Sequence, residues 1–253
     1  TGAGARLGQA MALYLGKRGF DVAVHFAGSE AGAKDTVEQL AAMGRNGVAL
    51  QADLLDEEAT QSLVARAVDG LGGPLTCLVN NASVFEYDNI ATGTRASWDR
   101  HIESNLRAPF VLTLNFAAQV LEPKYDDADE PVAQGLVVNM LDQRIHKLTP
   151  EFMSYTIAKM GLWAMTRTTA QALAPRVRVN GIGPGPTLQG HRQSKQHFDR
   201  QRAATVLKRG ANPSDITAAL GYFLDAPAVT GQMLAVDGGQ HLAWETPDVL
   251  GVE

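Results

Sequence analysis

Short apolar runs recur along the chain, separated by longer stretches in which apolar positions fall three or four residues apart. The runs are continuous and rich in valine and leucine, which is typical of strands buried on both faces of a sheet. The longer stretches have the spacing of amphipathic helices. The predicted strands are 21–26, 47–52, 75–80, 135–140, 176–182 and 232–237, and the predicted helices are 6–18, 30–44, 56–71, 95–121, 152–173 and 213–225.

The predicted strands and helices alternate through the whole chain. Such alternation indicates an α/β fold with one doubly wound, Rossmann-type parallel sheet. A length of 253 residues suits a single domain over 1–253, without an internal repeat or a linker. Two polar segments interrupt the pattern. The acidic stretch 122–134 predicts a surface insertion, and the basic stretch 187–205 predicts a mobile substrate loop.

The first eight residues, TGAGARLG, have the pattern of a phosphate-binding turn. Gly2 and Gly8 let the backbone turn tightly and approach a pyrophosphate, and the helix that follows offers its first N–H groups to the anion. The spacing is not G-x-G-x-x-G, so the prediction depends on the position of the turn ahead of an alternating pattern. Because such a turn normally follows a buried strand, we expect a first strand ahead of Thr1.

Charge and apolar content limit the classes of partner. The net charge is −5 at pH 7, and no apolar run approaches the ~20 residues that a membrane span needs. We therefore expect neither a nucleic-acid surface nor a membrane surface, since these need a basic or a long apolar face. The six histidines are scattered and Cys77 is the single cysteine. We expect no metal site and no internal disulfide, and a cytoplasmic location is the default.

The end of the predicted strand 21–26 bears on the choice of cofactor. An NAD-binding sheet normally places Asp or Glu there, where the carboxylate holds the ribose 2′-hydroxyl. Here the segment VHFAGSE has no acid before Glu30. A carboxylate would repel a 2′-phosphate, so its absence favours NADP(H), and Ser29 with nearby backbone N–H groups can receive the phosphate. The segment 27–29 contains no arginine, so NADH stays open as the alternative.

Polar residues also follow two further predicted strands. Asp53 and Leu54 lie in QADL, and Asn81 and Ala82 lie in NNAS. Open α/β sheets bind ligands at the carboxyl ends of their strands, so Asp53 is placed to accept from an adenine amino group. An ordinary turn is the alternative explanation for the asparagines.

The stretch NMLDQRIHKLTPEFMSYTIAKMG joins a predicted strand to a predicted helix. Tyr155 and Lys159 lie four residues apart, so their side chains meet on one helix face. The ammonium should stabilise a phenolate and lower the pKa of the tyrosine, which makes Tyr155 a candidate general acid.

Asp142 stands thirteen residues before Tyr155, where the strand ends. An ionised carboxylate cannot donate a hydrogen bond to a ketone oxygen and would repel a developing alkoxide. Asp142 therefore favours a substrate that presents N–H donors and ring nitrogens. The alternative is that Asp142 pairs with Arg144 or caps a turn.

The ordered motifs resemble the short-chain dehydrogenase/reductase superfamily over residues 1–243: the glycine turn, QADL, NNA, Asn105 in ESNLRAPF, Tyr155-x-x-x-Lys159, RVRVNGIGPG and TGQMLAVDGG. That superfamily normally has serine at the position of Asp142. Arg6 in the turn, Phe85 in NNASVF and Asp142 in VVNMLD resemble its pteridine reductase branch. This branch includes bacterial dihydropterin and dihydrofolate reductases of short-chain type. The ending HFAGSE departs from the histidine and arginine cluster that holds the 2′-phosphate in better-known members.

The resemblance implies a role for each matching residue. Tyr155, Lys159, Asp142 and Asn105 are the expected catalytic residues, with Asn105 holding a water that links the lysine to solvent. Phe85 is expected to stack a pterin ring against the nicotinamide. The expected substrate-binding residues are Arg6, Phe85, Asp142 and Tyr155, and the expected NADP-binding residues are Gly2, Arg6, Leu7, Gly8, Ser29, Asp53, Leu54, Asn81, Ala82, Pro184 and Gly185.

The resemblance also implies a homotetramer, in which the helices 95–121 and 152–173 pair between subunits. On the substrate loop, Arg192 or Lys195 can meet a folate glutamate tail, and a plain solvated helix is an equal alternative.

The favoured function is an NADPH-dependent reductase that transfers hydride to a pterin or dihydropterin, with Tyr155 as the proton donor. The second hypothesis is a carbonyl or 3-oxoacyl-thioester reductase that tolerates aspartate in the serine position. The third is a non-catalytic NADP-sensing protein on the same fold. The intact Tyr155, Lys159 and Asn105 argue against the third, because a binder has no need of a proton relay.

Overall fold

The computed structural model describes residues 1–190 and 193–245 of the chain. The strands are β1 (Val22–Phe26), β2 (Gly47–Gln51), β3 (Cys77–Asn80), β4 (Lys124–Tyr125), β5 (Pro131–Val132), β6 (Gly135–Met140), β7 (Val177–Pro184) and β8 (Met233–Val236). The helices are α1 (Arg6–Lys17), α2 (Glu30–Ala42), α3 (Glu57–Leu71), α4 (Arg95–Ile102), α5 (Ala108–Gln119), α6 (Met153–Leu173), α7 (Lys195–Ala203) and α8 (Pro213–Asp225). A π-helical turn, Glu103–Arg107, joins α4 to α5, and 3₁₀ turns lie at Gln143–Ile145 and Gln240–Leu242.

The long strands form parallel sheets, which confirms the predicted α/β class. β1 pairs with β2, and a second sheet has the order β3–β6–β7–β8. The strand interiors are fully buried, at Val24, Val137, Val138 and Val179 among others. One core cluster packs α1, α2 and α8 against the strands, and a second packs α3 and α5 against them. Strands buried in this way explain the continuous apolar runs in the sequence.

An apolar cavity of about 440 Å³ lies between β1 and β3, lined by side chains of both strands and of α1. Residues 1–3 bridge the two sheets at one end of this cavity. The Thr1 amino group donates to the Val79 carbonyl at 2.7 Å, and the Ala3 N–H donates to the His25 carbonyl at 2.8 Å. Residues 1–3 therefore join the ends of β1 and β3, and the expected first strand stays a prediction.

The predicted helix 95–121 is divided in the structure. α4 ends at Ile102, and the turn Glu103–Arg107 is wider than an α-helix before α5 begins. Pro109 lies in the first turn of α5 and has no N–H, so it cannot donate to the Asn105 carbonyl four residues earlier. The proline gives a physical reason for the break, and π-helical turns of this kind often mark functional sites.

The two polar segments also contain regular structure. The predicted acidic surface insertion 122–134 contains the antiparallel hairpin β4–β5, and the predicted substrate loop 187–205 contains α7. No helix in the described ranges has the length and apolarity to cross a bilayer.

Gly8, in α1, is packed too closely for any side chain. A Cβ atom there would lie 2.0 Å from the Gly2 carbonyl oxygen and 2.6 Å from the Asn81 amide nitrogen. We expect Gly8→Ala to lower the free energy of unfolding by about 2–3 kcal/mol in chemical denaturation, because the glycine turn must move to admit the methyl group. Gly73→Ala is the control, since its Cβ would meet no described atom within 4 Å. Equal losses at both positions would contradict this packing.

Candidate active site

A cleft of about 720 Å³ follows the carboxyl ends of β1, β2, β3, β6 and β7. The structure brings to this cleft every residue that the resemblance implied for NADP binding, from Gly2 to Gly185, together with Asp142, Tyr155 and Lys159. The last predicted catalytic and substrate-binding residues, Asn105 and Phe85, lie beside it. Asn105 is fully buried in the π-helical turn, and the ring of Phe85 packs edge-on against Tyr155 with centroids 4.7 Å apart.

The glycine turn is tied to the strand ends around it. Gly2 has a φ of +62°, and its N–H donates to His25 Nδ1 at 3.0 Å. His25 Nε2 donates to the Ala52 carbonyl at 3.1 Å, and Asn81 Nδ2 donates to the Thr1 carbonyl at 2.8 Å. Because Ala5, the N-cap of α1, has no polar side chain, the first N–H groups of α1 are left for an anion in the cleft.

Arg6 connects the glycine turn with the substrate loop. Its backbone is left-handed, with a φ of 53°, at a position that suits glycine. The guanidinium donates to the carbonyl oxygens of Gln189 at 3.0 Å and Leu188 at 3.2 Å. Its predicted contacts with pyrophosphate and substrate stay predictions.

Asp142 is placed by the end of β6 and faces Tyr155. It is the N-cap of the 3₁₀ turn Gln143–Ile145, and its Oδ1 accepts from the Arg144 backbone N–H at 2.8 Å. Its Oδ2 accepts from the Tyr155 hydroxyl at 3.0 Å. One carboxylate therefore caps a turn, which was the alternative weighed from the sequence, and also accepts from the expected proton donor; its part in substrate binding and proton transfer stays a prediction.

The buried surroundings raise the pKa values of both Asp142 and Tyr155. Burial raises the pKa of Asp142, against the opposing effect of its hydrogen bond from the Arg144 backbone. Burial, and then the neighbouring Asp142 charge, raise the pKa of Tyr155 well above its ordinary value. The expected lowering of the tyrosine pKa by Lys159 is wrong for this structure, because the hydroxyl is desolvated and faces a carboxylate. Tyr155 holds its proton firmly, and Asp142 binds one more readily than an exposed aspartate.

Lys159 lies behind the tyrosine ring and is almost fully buried. Its Nζ donates to the Met140 carbonyl at 2.7 Å and lies 5.6 Å from the centroid of the Tyr155 ring. Burial lowers the pKa of Lys159 to about 8, and the Asp142 charge opposes that shift. The ammonium is thus held by β6, close enough to stabilise negative charge on the tyrosine without bonding to its oxygen.

The Asn105 side chain is hydrogen-bonded to the loop after β3. Its Nδ2 donates to the Val84 carbonyl at 2.8 Å, and its Oδ1 accepts from the Val84 N–H at 2.9 Å. Its part in a water relay stays a prediction, and any such relay would have to use main-chain groups of the widened turn.

Aromatic rings close one side of the cleft, and Phe152 among them was missed from the sequence. Phe85 stacks on Phe152, with centroids 4.4 Å apart and planes 10° apart, and Tyr87 meets Phe152 edge-on at 5.3 Å. The Arg144 guanidinium lies 5.1 Å from the Phe152 centroid. Phe152 is the N-cap of α6 with a φ of 56°, and nothing in the sequence marks a phenylalanine for that conformation.

The substrate loop forms the opposite wall. Five of its residues line the cleft: Thr187, Leu188, Gln193, Phe198 and Gln201. The sequence predicted the loop 187–205 as a whole but none of these five residues individually. Lys195 pairs with Asp199 at 2.6 Å on the exposed face of α7, so its contact with a glutamate tail stays a prediction. Arg192 lies outside the described residues.

Comparison with known proteins places this geometry among nucleotide-dependent reductases. A family model described as enoyl-(acyl carrier protein) reductase matches residues 2–241. The crystal structure of FolM alternative dihydrofolate reductase 1 from Brucella suis in complex with NADP is 42% identical, with a TM-score of 0.91, over 98% of this chain and 96% of that one.

Two more distant relatives cover similar lengths. A short chain dehydrogenase from Burkholderia cenocepacia in complex with NADP is 26% identical, with a TM-score of 0.85, over 94% of this chain and 95% of that one. The 3-oxoacyl-[acyl-carrier-protein] reductase from Staphylococcus epidermidis is 27% identical over 247 residues, which is 96% of this chain and 97% of the relative.

His25 makes the stability of the glycine turn depend on pH. Burial lowers its pKa to about 4, whereas a histidine in an unfolded chain has a pKa of about 6.5. As the pH falls below 6.5 the unfolded chain binds the proton first. The stability that neutral His25 contributes is therefore complete above pH ~6.5 and is lost, by about 3 kcal/mol in all, as the pH falls to ~4.

We expect His25→Gln to reduce this pH dependence, as measured by denaturant unfolding at a series of pH values between about 4 and 7. His197→Gln, the same substitution on the exposed face of α7, is the matched control and should keep the wild-type slope. Parallel slopes for the wild-type protein and His25→Gln would show that His25 does not titrate as its burial requires.

Proposed function

The chain belongs to the short-chain dehydrogenase/reductase superfamily, in the family described as enoyl-(acyl carrier protein) reductase, and we propose that it is an NADPH-dependent reductase of a pterin or dihydropterin. The observation that carries the proposal is the hydrogen bond from Tyr155 to Asp142, at a position where the superfamily normally has serine. The similarity to an alternative dihydrofolate reductase crystallised with NADP supports both the cofactor and the substrate class.

The residues of the cleft fit a dinucleotide that carries a 2′-phosphate. The glycine turn and the N-terminus of α1 suit a pyrophosphate, and Asp53 lines the cleft where an adenine would lie. The end of β1 offers Ser29 and no carboxylate within 27–29, so a 2′-phosphate meets no repulsion there. When bound, NADPH supplies the hydride.

Asp142 and Tyr155 supply the proton. Reduction of a ring C=N bond adds hydride to carbon and requires a proton at nitrogen. If Tyr155 gave up its proton beside an ionised Asp142, a phenolate would face a carboxylate at 3.0 Å, which burial makes costly. A protonated Asp142, which the raised pKa makes easier to reach than in an exposed aspartate, would remove this conflict. It can return a proton to the Tyr155 oxygen or donate directly to the ring nitrogen.

Other residues recognise and orient the heterocycle. The Asp142 carboxyl can accept a hydrogen bond from the exocyclic amine or from a ring N–H group that a pterin presents, and its protonated form keeps one acceptor oxygen for this contact. The half-exposed ring of Phe85 offers a surface for stacking beside Tyr155. The Lys159 ammonium stabilises the negative charge that develops near Tyr155 as the proton leaves.

Reduction of a 3-oxoacyl thioester is the second candidate. The similarity to the Staphylococcus epidermidis enzyme favours it, at a lower identity than the similarity to the Brucella suis protein. Asp142 argues against it only in its ionised form, which donates no hydrogen bond to a carbonyl oxygen; a protonated Asp142 would be able to donate one, so a parallel assay of both substrates decides between them.

We expect the purified protein to oxidise NADPH with dihydrobiopterin or dihydrofolate and to leave an acetoacetyl thioester largely unreduced, in parallel assays followed by NADPH absorbance. NADH is run beside NADPH. Turnover of the thioester alone would contradict the pterin proposal, and no turnover of any substrate would favour a nucleotide-binding protein without catalysis.

We expect Asp142→Ser to lower kcat/KM for the dihydropterin by about 10²–10³-fold, because the variant loses both the proton and the acceptor for ring N–H groups. Asp127→Asn, in the exposed hairpin, is the control for removal of an acidic charge and should leave kcat/KM unchanged. An unchanged rate for Asp142→Ser would show that the carboxylate has no part in the reaction.

We also expect a homotetramer, as the resemblance implied. The helices that would pair between subunits carry exposed apolar residues, which supports this assembly. These residues are Trp98, Phe110, Leu114 and Leu121 on and beside α4–α5, and Ile157 and Met160 on α6. Leu114→Glu should shift the mass in light scattering from four chains to fewer, because it puts charge into the apolar contact. Leu148→Glu, at a somewhat more exposed leucine on the loop before α6, should remain tetrameric. A monomeric wild-type protein would contradict the assembly.

A further inference from the structure

The segment 83–88 follows the end of β3, and its first two residues, Ser83 and Val84, line the cleft. It belongs to no helix or strand of the described structure, yet its exposure alternates from residue to residue as it does in a strand. Ser83, Phe85 and Tyr87 are exposed, whereas residues 84, 86 and 88 face the protein. The two aromatic side chains therefore share the outer face of one extended segment, where both contact Phe152.

The inward residues are held by buried side chains instead of by a neighbouring strand. Val84 pairs with Asn105, as described above, and the Glu86 N–H donates to His101 Nε2 at 3.1 Å. The Asp88 carboxylate accepts from the Ser154 N–H at 3.1 Å and also from the Ser154 hydroxyl. Three consecutive inward positions are thus each bonded to a helix behind the segment.

His101 links the segment to α6. A backbone N–H can only donate, so His101 Nε2 carries no proton and the proton sits on Nδ1. Nδ1 then donates to Ser154 Oγ at 2.7 Å. Ser154 precedes Tyr155, and His101, Asp88 and Ser154 are all buried. Burial lowers the pKa of His101, so the neutral ring that this pattern needs is the form favoured near neutral pH.

We propose that His101 is a positioning residue, which fixes the segment 83–88 in the register that turns Phe85 and Tyr87 toward the substrate. Stacking of a pterin on this face rests on the proposed function, whereas the pinning of the segment does not. In an extended segment a slip of one residue turns every side chain to the opposite face. Such a slip would replace Phe85 by Glu86 beside Tyr155.

A histidine is suited to this role because its two ring nitrogens can bond to two different segments at once. It accepts from the segment and donates to the first turn of α6, so it couples the aromatic face to the helix that carries Tyr155. A leucine of similar size fills the space but leaves the Glu86 N–H and the Ser154 hydroxyl without these bonds. A glutamine keeps one acceptor and one donor and can restore both.

The first test measures the pinning without any substrate. His101→Leu should speed amide hydrogen exchange in a peptide covering 83–88, and His101→Gln should bring it back toward the wild-type rate. Arg95→Leu, on the exposed face of α4, is the matched control and should leave exchange in this peptide unchanged. Thermal unfolding of each variant separates local release from global loss of structure. Unchanged exchange in a folded His101→Leu would overturn the proposal.

The second test is a double-mutant cycle with Phe85→Ala. If His101 acts through the aromatic face, His101→Leu should raise KM for the dihydropterin about tenfold with a smaller change in kcat, and should have almost no further effect in the Phe85→Ala protein. An equal effect in both backgrounds would overturn the proposal, since it would show a general structural role. If the wild-type protein reduces only the thioester, the proposed function fails, and the exchange result alone decides the pinning.

Discussion

A buried carboxylate, Asp142, accepts a hydrogen bond from a buried phenol, Tyr155, and this pair limits how protons and charges can move in the site. Neither group can release a proton cheaply without water, so the pKa values of Asp142 and Tyr155 both rise. The pair is stable while at least one proton remains between its two oxygens. Lys159, held by the Met140 carbonyl, supplies positive charge behind the ring, and this charge stabilises the site as that proton moves. A hydroxyl in place of Asp142 would impose no such coupling.

Two residues near the cleft have unusual backbone conformations. Arg6 and Phe152, at the starts of α1 and α6, both have left-handed backbone conformations that cost about 1 kcal/mol or more for residues other than glycine. In each case the side chain reaches across the cleft entrance. Arg6 holds the carbonyls of the substrate loop, and Phe152 stacks on Phe85. Such departures are expected where a structure serves binding in addition to folding.

Sequence reasoning succeeded where the signal is local. The apolar runs located the strands because burial on both faces acts on each strand separately, and the end of the run at Met140 located Asp142. It failed where contacts join distant segments. The pairing of His101 with the loop at Glu86 depends on how α4 packs, and the left-handed start of α6 at Phe152 leaves no mark in the sequence. The four-residue spacing of Tyr155 and Lys159 did not reveal that burial and a facing carboxylate would dominate the tyrosine pKa.

The proposed chemistry requires that the Asp142 carboxyl binds a proton more readily than an ordinary aspartate and can therefore take part in proton transfer. An NMR titration of its side-chain carboxyl carbon, assigned by comparison with Asp142→Asn, tests this claim directly in the unliganded protein. We expect a midpoint clearly above the ordinary aspartate value of about 3.8. We also expect a further rise in Tyr155→Phe, which removes the hydrogen bond that favours the ionised form. A midpoint at or below the ordinary value would show that Asp142 binds its proton no more readily than an exposed aspartate.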